Sequence, residues 1–228
     1  MIEVIKKVFT LDTWKVILPA IGDTLFMTVF TTVLMAIFGV LLGVALFLTQ
    51  RDGLRPLRVF NAVFGAIINA LRSLPSMVII ILTMPLAKLI VGKSWGPAAV
   101  IIALTLTCVP MFARMVESSF LEVPRGKVEA AKSIGARTWE IMFKVVLPES
   151  LPSLIRNFTI AIIAVISVTA LAGFFGAGGL GDVAVRFGWN RFLTHMMVAA
   201  VLVLIVIVEF VQIGGDIWAK HVVRKRHL

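Results

Sequence analysis

The chain has 228 residues, of which 60% are hydrophobic and 15% charged, with a net charge of +10 and a mean hydropathy of +1.04. Soluble domains carry about 25% charged and about 45–50% apolar residues. Here the apolar excess is gathered into long runs, which excludes a water-surrounded globular domain and predicts one all-α integral membrane domain over residues 1–228. The positive charge lies in loops beside those runs, as membrane orientation requires, so nucleic-acid binding is excluded as well.

Residues 1–23 do not read as a cleavable signal peptide. Lys6, Lys7, Asp12 and Lys15 interrupt any apolar core, and no small-residue cleavage site follows. The first span is predicted at 24–49, which holds no Asp, Glu, Lys or Arg. A second is divided: 59–71 and 73–87 are apolar, but Arg72 and Pro75 separate them. Pro75 lacks the helical N–H and disfavours helix at Leu74. This predicts a span bent near 72–75, the alternative being that 59–71 lies in the interface and only 73–91 crosses. Clean runs at 94–113, 157–181 and 192–208, the last extending towards residue 214, complete five spans. The single cysteine, Cys108, sits within one of them and excludes an internal disulfide.

Five spans place the termini on opposite sides. One set of loops carries thirteen Lys and Arg, Arg114, Lys225 and Arg226 among them, and the other carries seven. The richer side is cytoplasmic, so the amino terminus is expected outside and the carboxyl terminus inside.

The richest of these loops, about 125–148, predicts two short helices. Pro124 can open the first, where its missing N–H costs nothing. Val128, Ala131 and Ile134 form an apolar stripe, and Gly135 is placed to end the helix in a left-handed conformation. Thr138 is expected to cap a second helix over 139–147, which Pro148 closes before the next span. An interfacial amphipathic helix explains the stripe but not the joint spacing of Glu129, Gly135 and Leu147-Pro148. A docking knob explains both. Ala130 and Ala131 allow close backbone approach by a partner, and Glu129 offers a negative charge.

The segment Glu129-Ala130-Ala131, three residues, Gly135, nine residues, then Val145-Val146-Leu147-Pro148 resembles the loop by which membrane subunits of ABC importers engage their ATPases. Val145 departs from the family's usual Ile. With Leu71-Arg72-Ser73-Leu74-Pro75, Ala113-Arg114-Met115-Val116-Glu117 and Leu121-Glu122-Val123-Pro124, the chain looks like the methionine-uptake permeases of bacterial inner membranes. The resemblance implies a type I importer permease fold with five helices per subunit, a homodimer with the pathway between subunits, and translocation of D- or L-methionine. It also implies an extracytoplasmic substrate-binding protein and two cytoplasmic ATPase subunits, which bind the ATP and Mg. ATPase-coupling residues would then be Glu129, Ala130, Ala131, Gly135, Val145, Leu147 and Pro148.

Other motifs weigh less. Gly176, Gly178, Gly179 and Gly181 spell a dinucleotide fingerprint, but they leave an apolar span rather than join a strand to a helix, so nucleotide binding is rejected. They resemble the extracytoplasmic glycine loop of amino-acid and osmolyte permeases, and a flexible connection is the alternative. Gly92-Lys93-Ser94 ends like a Walker A loop, yet Ala87 replaces its first glycine. His195, His221 and His227 lack metal-ligand spacing, and no catalytic constellation or bound cofactor is expected in this chain. Thr159, Ile163 and Ser167 share one helical stripe that should face protein or a cavity, with packing and a substrate path as the two readings. Met77 and Met84 are weaker path candidates. Quaternary-amine osmolytes are the runner-up substrate class. An ion-coupled secondary transporter would need mid-membrane carboxylates, which the clean spans lack.

Overall fold

A computed structural model of the chain describes residues 2–224, and every regular element among them is helical. Lys225, Arg226 and His227 lie outside the described residues. The helices are α1 (Ile2–Val8), α2 (Leu11–Thr49), α3 (Arg58–Ser73), α4 (Ser76–Val91), α5 (Pro97–Leu121), α6 (Arg125–Ser133), α7 (Thr138–Ile141), α8 (Leu147–Ala172), α9 (Gly179–Val183) and α10 (Thr194–Arg224). A π-helical turn, Met142–Val146, joins α7 to α8, a 3-10 turn, Gly173–Phe175, follows α8, and a second π-helical turn, Ala184–Trp189, follows α9.

Four runs are long and apolar enough to cross a membrane: Leu11–Thr49, Pro97–Leu121, Thr138–Phe175 and Thr194–Arg224. The α3–α4 pair passes the same test only when its two arms are taken together. The chain turns by 105° at their break, which falls at the expected place. Pro75 is extended there, with φ −58 and ψ 134, and the Ser73 hydroxyl donates to the Ala70 carbonyl left open at the end of α3.

Several boundaries differ from the sequence expectation. α2 begins at Leu11 rather than near residue 24 and is 39 residues long, about 58 Å at 1.5 Å per residue. Asp12, Lys15 and Asp23 bar that stretch from hydrocarbon but not from a helix, since outside the bilayer core their charges meet water. α10 likewise continues through Lys220 to Arg224. Arg114, taken above as a loop cation, lies inside α5. Pro148 does not close a helix before the span. Thr138–Phe175 runs on as one continuous helix, apolar beyond Arg156. The widened turn bonds Leu147 N–H to Met142 O, and Pro148, without an N–H of its own, falls in the opening turn of α8.

The described chain divides into two compact units, to both of which α2, α5, α8 and α10 contribute. In the first, Ile17 and Ala20 of α2 pack with Leu180, Val183, Met196 and Ala199. A second cluster there joins Met27, Ile80, Val100, Leu104, Ala172 and Ala177. In the second unit Phe47 meets Phe120 with ring centroids 5.3 Å apart, and Phe112 meets Phe158 at 5.6 Å. Polar ties cross between helices in this unit. Asn157 Nδ2 donates to Ser119 Oγ at 2.8 Å, Asn61 Nδ2 donates to Leu46 O at 2.9 Å, and Arg114 Nη2 donates to Gly65 O at 3.0 Å while its Nη1 pairs with Glu117 at 2.7 Å. Such interhelical bonds hold apolar helices together where lipid supplies no hydrophobic drive. Exposed Leu25, Phe26, Val29, Phe30, Val33, Ile37 and Leu41 cover the other faces of α2. A lipid solvent makes that exposure free of cost.

Candidate functional site

Pro124, with φ −56 and ψ 125, stands just before α6, and none of the residues of α6 is buried. Lys127 Nζ reaches Glu149 Oε1 at 2.5 Å and ties the helix back to the start of α8. The end of α6 is closed as the sequence suggested. Gly135 has φ +78, its N–H donates to Lys132 O at 2.9 Å, and Ala136 N–H donates to Ala131 O at 3.1 Å. These two bonds form a Schellman motif, which satisfies carbonyls a helix end would leave open.

The second helix is capped differently from the expectation. Arg137, not Thr138, is the residue flanking α7, and its backbone N–H donates to Glu140 Oε2 at 2.9 Å. Thr138 is the first helical residue instead. A glutamate at the third helical position can reach back to this N–H, so the flanking side chain need not contribute. That bond, and then Lys144 one turn on, hold the Glu140 carboxyl below its usual value. Trp139 and Phe143 stack with centroids 6.0 Å apart and stay 51% and 60% exposed, while Ile134 is 84% exposed. Between the end of α6 and α7 lies a hollow of about 420 Å³ bounded by Ala131, Ile134, Glu140, Lys144 and Val145.

The predicted coupling residues therefore fall into two groups. Glu129, Ala130 and Gly135 are exposed on the knob and Ala131 is half-buried there. Val145, Leu147 and Pro148 lie instead in the π-helical turn and the first turn of α8 that carry the knob into the span. Sequence reasoning missed Trp139 and Phe143. Two aromatics four residues apart in a basic loop were the available signal, since exposed aromatic anchors are what protein interfaces use.

The glycine-rich turn is tightly bound rather than flexible. Gly176, Gly178 and Gly179 have φ of 71, 81 and 78, and Gly179, Leu180 and Gly181 are buried. Leu180 N–H donates to Thr24 Oγ1 at 2.9 Å, and Gly96 N–H donates to Gly176 O at 3.1 Å. A Cβ on Gly181 would overlap the carbonyl of Ala170. No strand precedes the turn, so its dinucleotide spelling has no structural counterpart.

Along α8 the polar stripe changes character. Thr159 is 6% exposed, donates to Ile155 O and lies against the Gly215 backbone of α10, which is packing. Ile163 is half-buried, and Ser167 is exposed with its hydroxyl donating to Ile163 O. Met77 is 42% exposed on α4.

A family model described as "Binding-protein-dependent transport system inner membrane component" matches residues 39–227. The probable D-methionine transport system permease protein of Vibrio cholerae is 41% identical over 206 residues, covering 90% of this chain and 92% of the relative. The methionine import system permease protein of Bacillus subtilis is 41% identical over 172 residues, 75% of this chain and 78% of that one. A solved inward-facing conformation of the MetNI methionine ABC transporter contains a chain with a TM-score of 0.91 and 31% identity, covering 94% of this chain and 99% of its own.

Proposed function

The chain belongs to the family of binding-protein-dependent transport system inner membrane components, and on that premise we propose that it is the membrane permease subunit of an ATP-driven methionine importer. It acts as a homodimer with a type I importer fold and the pathway between subunits. The α3–α4 pair counts as one crossing, which makes five. An extracytoplasmic binding protein delivers substrate, and two cytoplasmic ATPase subunits hold the ATP and Mg.

The observation that carries this reading is the exposed knob of α6, Gly135 and α7, joined without a break to the apolar rod of α8. ATPase closure pulls on Glu129, Ala130, Trp139 and Phe143. The rod passes that displacement into the membrane, because a continuous helix moves as one body. Methionine follows from likeness to the methionine permeases. A zwitterion in an apolar passage must replace lost hydration with polar groups, and the exposed Ser167 is such a group, whereas Thr159 serves the α8–α10 contact.

With Arg114 set aside, the basic residues flanking the spans divide twelve to seven, and that bias supports an amino terminus outside. In a Cys108→Ser background, Ser94→Cys should label with an impermeant reagent from outside and Ser133→Cys only after permeabilisation. The opposite pattern reverses the orientation. For function, the chain reconstituted with ATPase and binding protein should accumulate labelled methionine in proportion to ATP hydrolysed. Competition by excess betaine or choline but not by methionine would move the substrate to the osmolyte class. Uptake without any ATPase would make the chain a secondary transporter.

A further inference from the structure

A basic hollow at the carboxyl-terminal end of α10 is absorbed by neither the knob nor the glycine turn. α8 and α10 meet where Thr159 lies against Gly215. One helical turn from that contact, Arg156 on α8 and Asp216, Ala219, Lys220, Val223 and Arg224 on α10 bound a hollow of about 310 Å³. Asp216, Lys220 and Arg224 recur at four-residue spacing and so share one face. All four charged side chains are exposed, and the hollow sets three cations against one carboxylate.

The neighbouring surface of α10 is apolar. Ile217 and Ile213, three and seven residues before Lys220, are 63% and 53% exposed. Charge at one end and exposed isoleucines at the next turns make a surface of two chemistries, which an amphiphile fits and a small soluble anion does not. We propose that Arg156, Lys220 and Arg224 hold the phosphate headgroup of an anionic phospholipid whose acyl chain runs along Ile217 and Ile213. Guanidinium groups bind a phosphodiester through paired N–H donors, and basic pockets between helices suit anionic headgroups. A lipid seated there clamps the last turns of α10 to α8. The proposal goes beyond the transport reading and stands without ATPase or substrate.

Native mass spectrometry of the purified full chain with added phosphatidylglycerol or phosphatidylethanolamine tests it. Phosphatidylglycerol should be retained and phosphatidylethanolamine lost. Arg156→Gln, Lys220→Gln and Arg224→Gln should each weaken retention on the order of fivefold, and together on the order of a hundredfold. A control pair elsewhere, Arg51→Gln with Arg55→Gln, should leave it unchanged. Should the triple variant fail to assemble, the single variants decide, and unchanged retention in all three overturns the proposal. Equal loss in the control pair would reduce the effect to bulk charge. Displacement of the lipid by inorganic phosphate would make the hollow a soluble-anion site. Either result also overturns it.

Discussion

At Gly135 an added Cβ would meet nothing within 4 Å, whereas at Gly181 it would run into the backbone of Ala170. Gly135 is exposed and its requirement is conformational: φ +78, needed to end α6 and start towards α7. Gly181 is buried, and its requirement is room. One joint stays open at the surface. The other closes the chain on itself, with Thr24 accepting from Leu180 N–H beside it. Glycine in the knob therefore sets a backbone turn at an open surface, and glycine in the α8–α9 turn makes room for packing.

The largest test of that contrast is Gly181→Val. Forcing a branched side chain against main chain should cost about 3 kcal/mol, seen as a lower melting temperature and loss of monodisperse protein on gel filtration. A variant as stable as the parent would mean the turn can open, and its role would be flexible connection after all. Next comes Thr24→Val, which keeps the shape and removes the acceptor of a buried N–H. It should cost about 2 kcal/mol by the same melting measurement.

Gly135→Ala should cost only about 1 kcal/mol, because the site is roomy and the penalty is that of the left-handed backbone alone. Its functional effect should be disproportionate. Co-elution of the ATPase and coupled uptake should fall while the membrane chain stays monodisperse. Stability and coupling lost in proportion would erase the distinction between the two glycines.

The smallest effect concerns Glu140, whose carboxyl is held below its usual value by Arg137 N–H and then Lys144. A group depressed on folding contributes above its unfolded value and loses that contribution as pH falls through the folded one. Protection of the Arg137 amide, measured against its own pH-dependent intrinsic exchange rate, should therefore fall as pH drops through the carboxylate range. Glu140→Gln should remove the pH step. Because Glu140 is half-exposed and both its partners lie within about one helical turn, the effect stays local, and global melting should not move.

Much of this was legible because it rests on short-range rules. Charge-free runs declare lipid-facing helices, a proline after Leu74 declares a break, and a glycine after Ile134 declares a left-handed cap. The knob's location and the end of α6 needed nothing more. Residues of the opposite kind were read less well. Thr138 looks like a cap by residue type, yet Glu140 reaching back to Arg137 N–H won the position. Pro148 looks like a terminator, and a widened turn took up its missing donor.

What the sequence alone determined was the membrane class, the basic bias and the exposed loop, since each depends on composition or on residues within one or two turns. Tertiary structure decided the rest. Only packing shows that Thr159 faces Gly215, that Arg114 leaves the loops for Gly65, and that Thr24 anchors a turn 156 residues away. Those partners are distant in the chain, and no local spacing encodes which polar group an apolar bundle will bring to meet another.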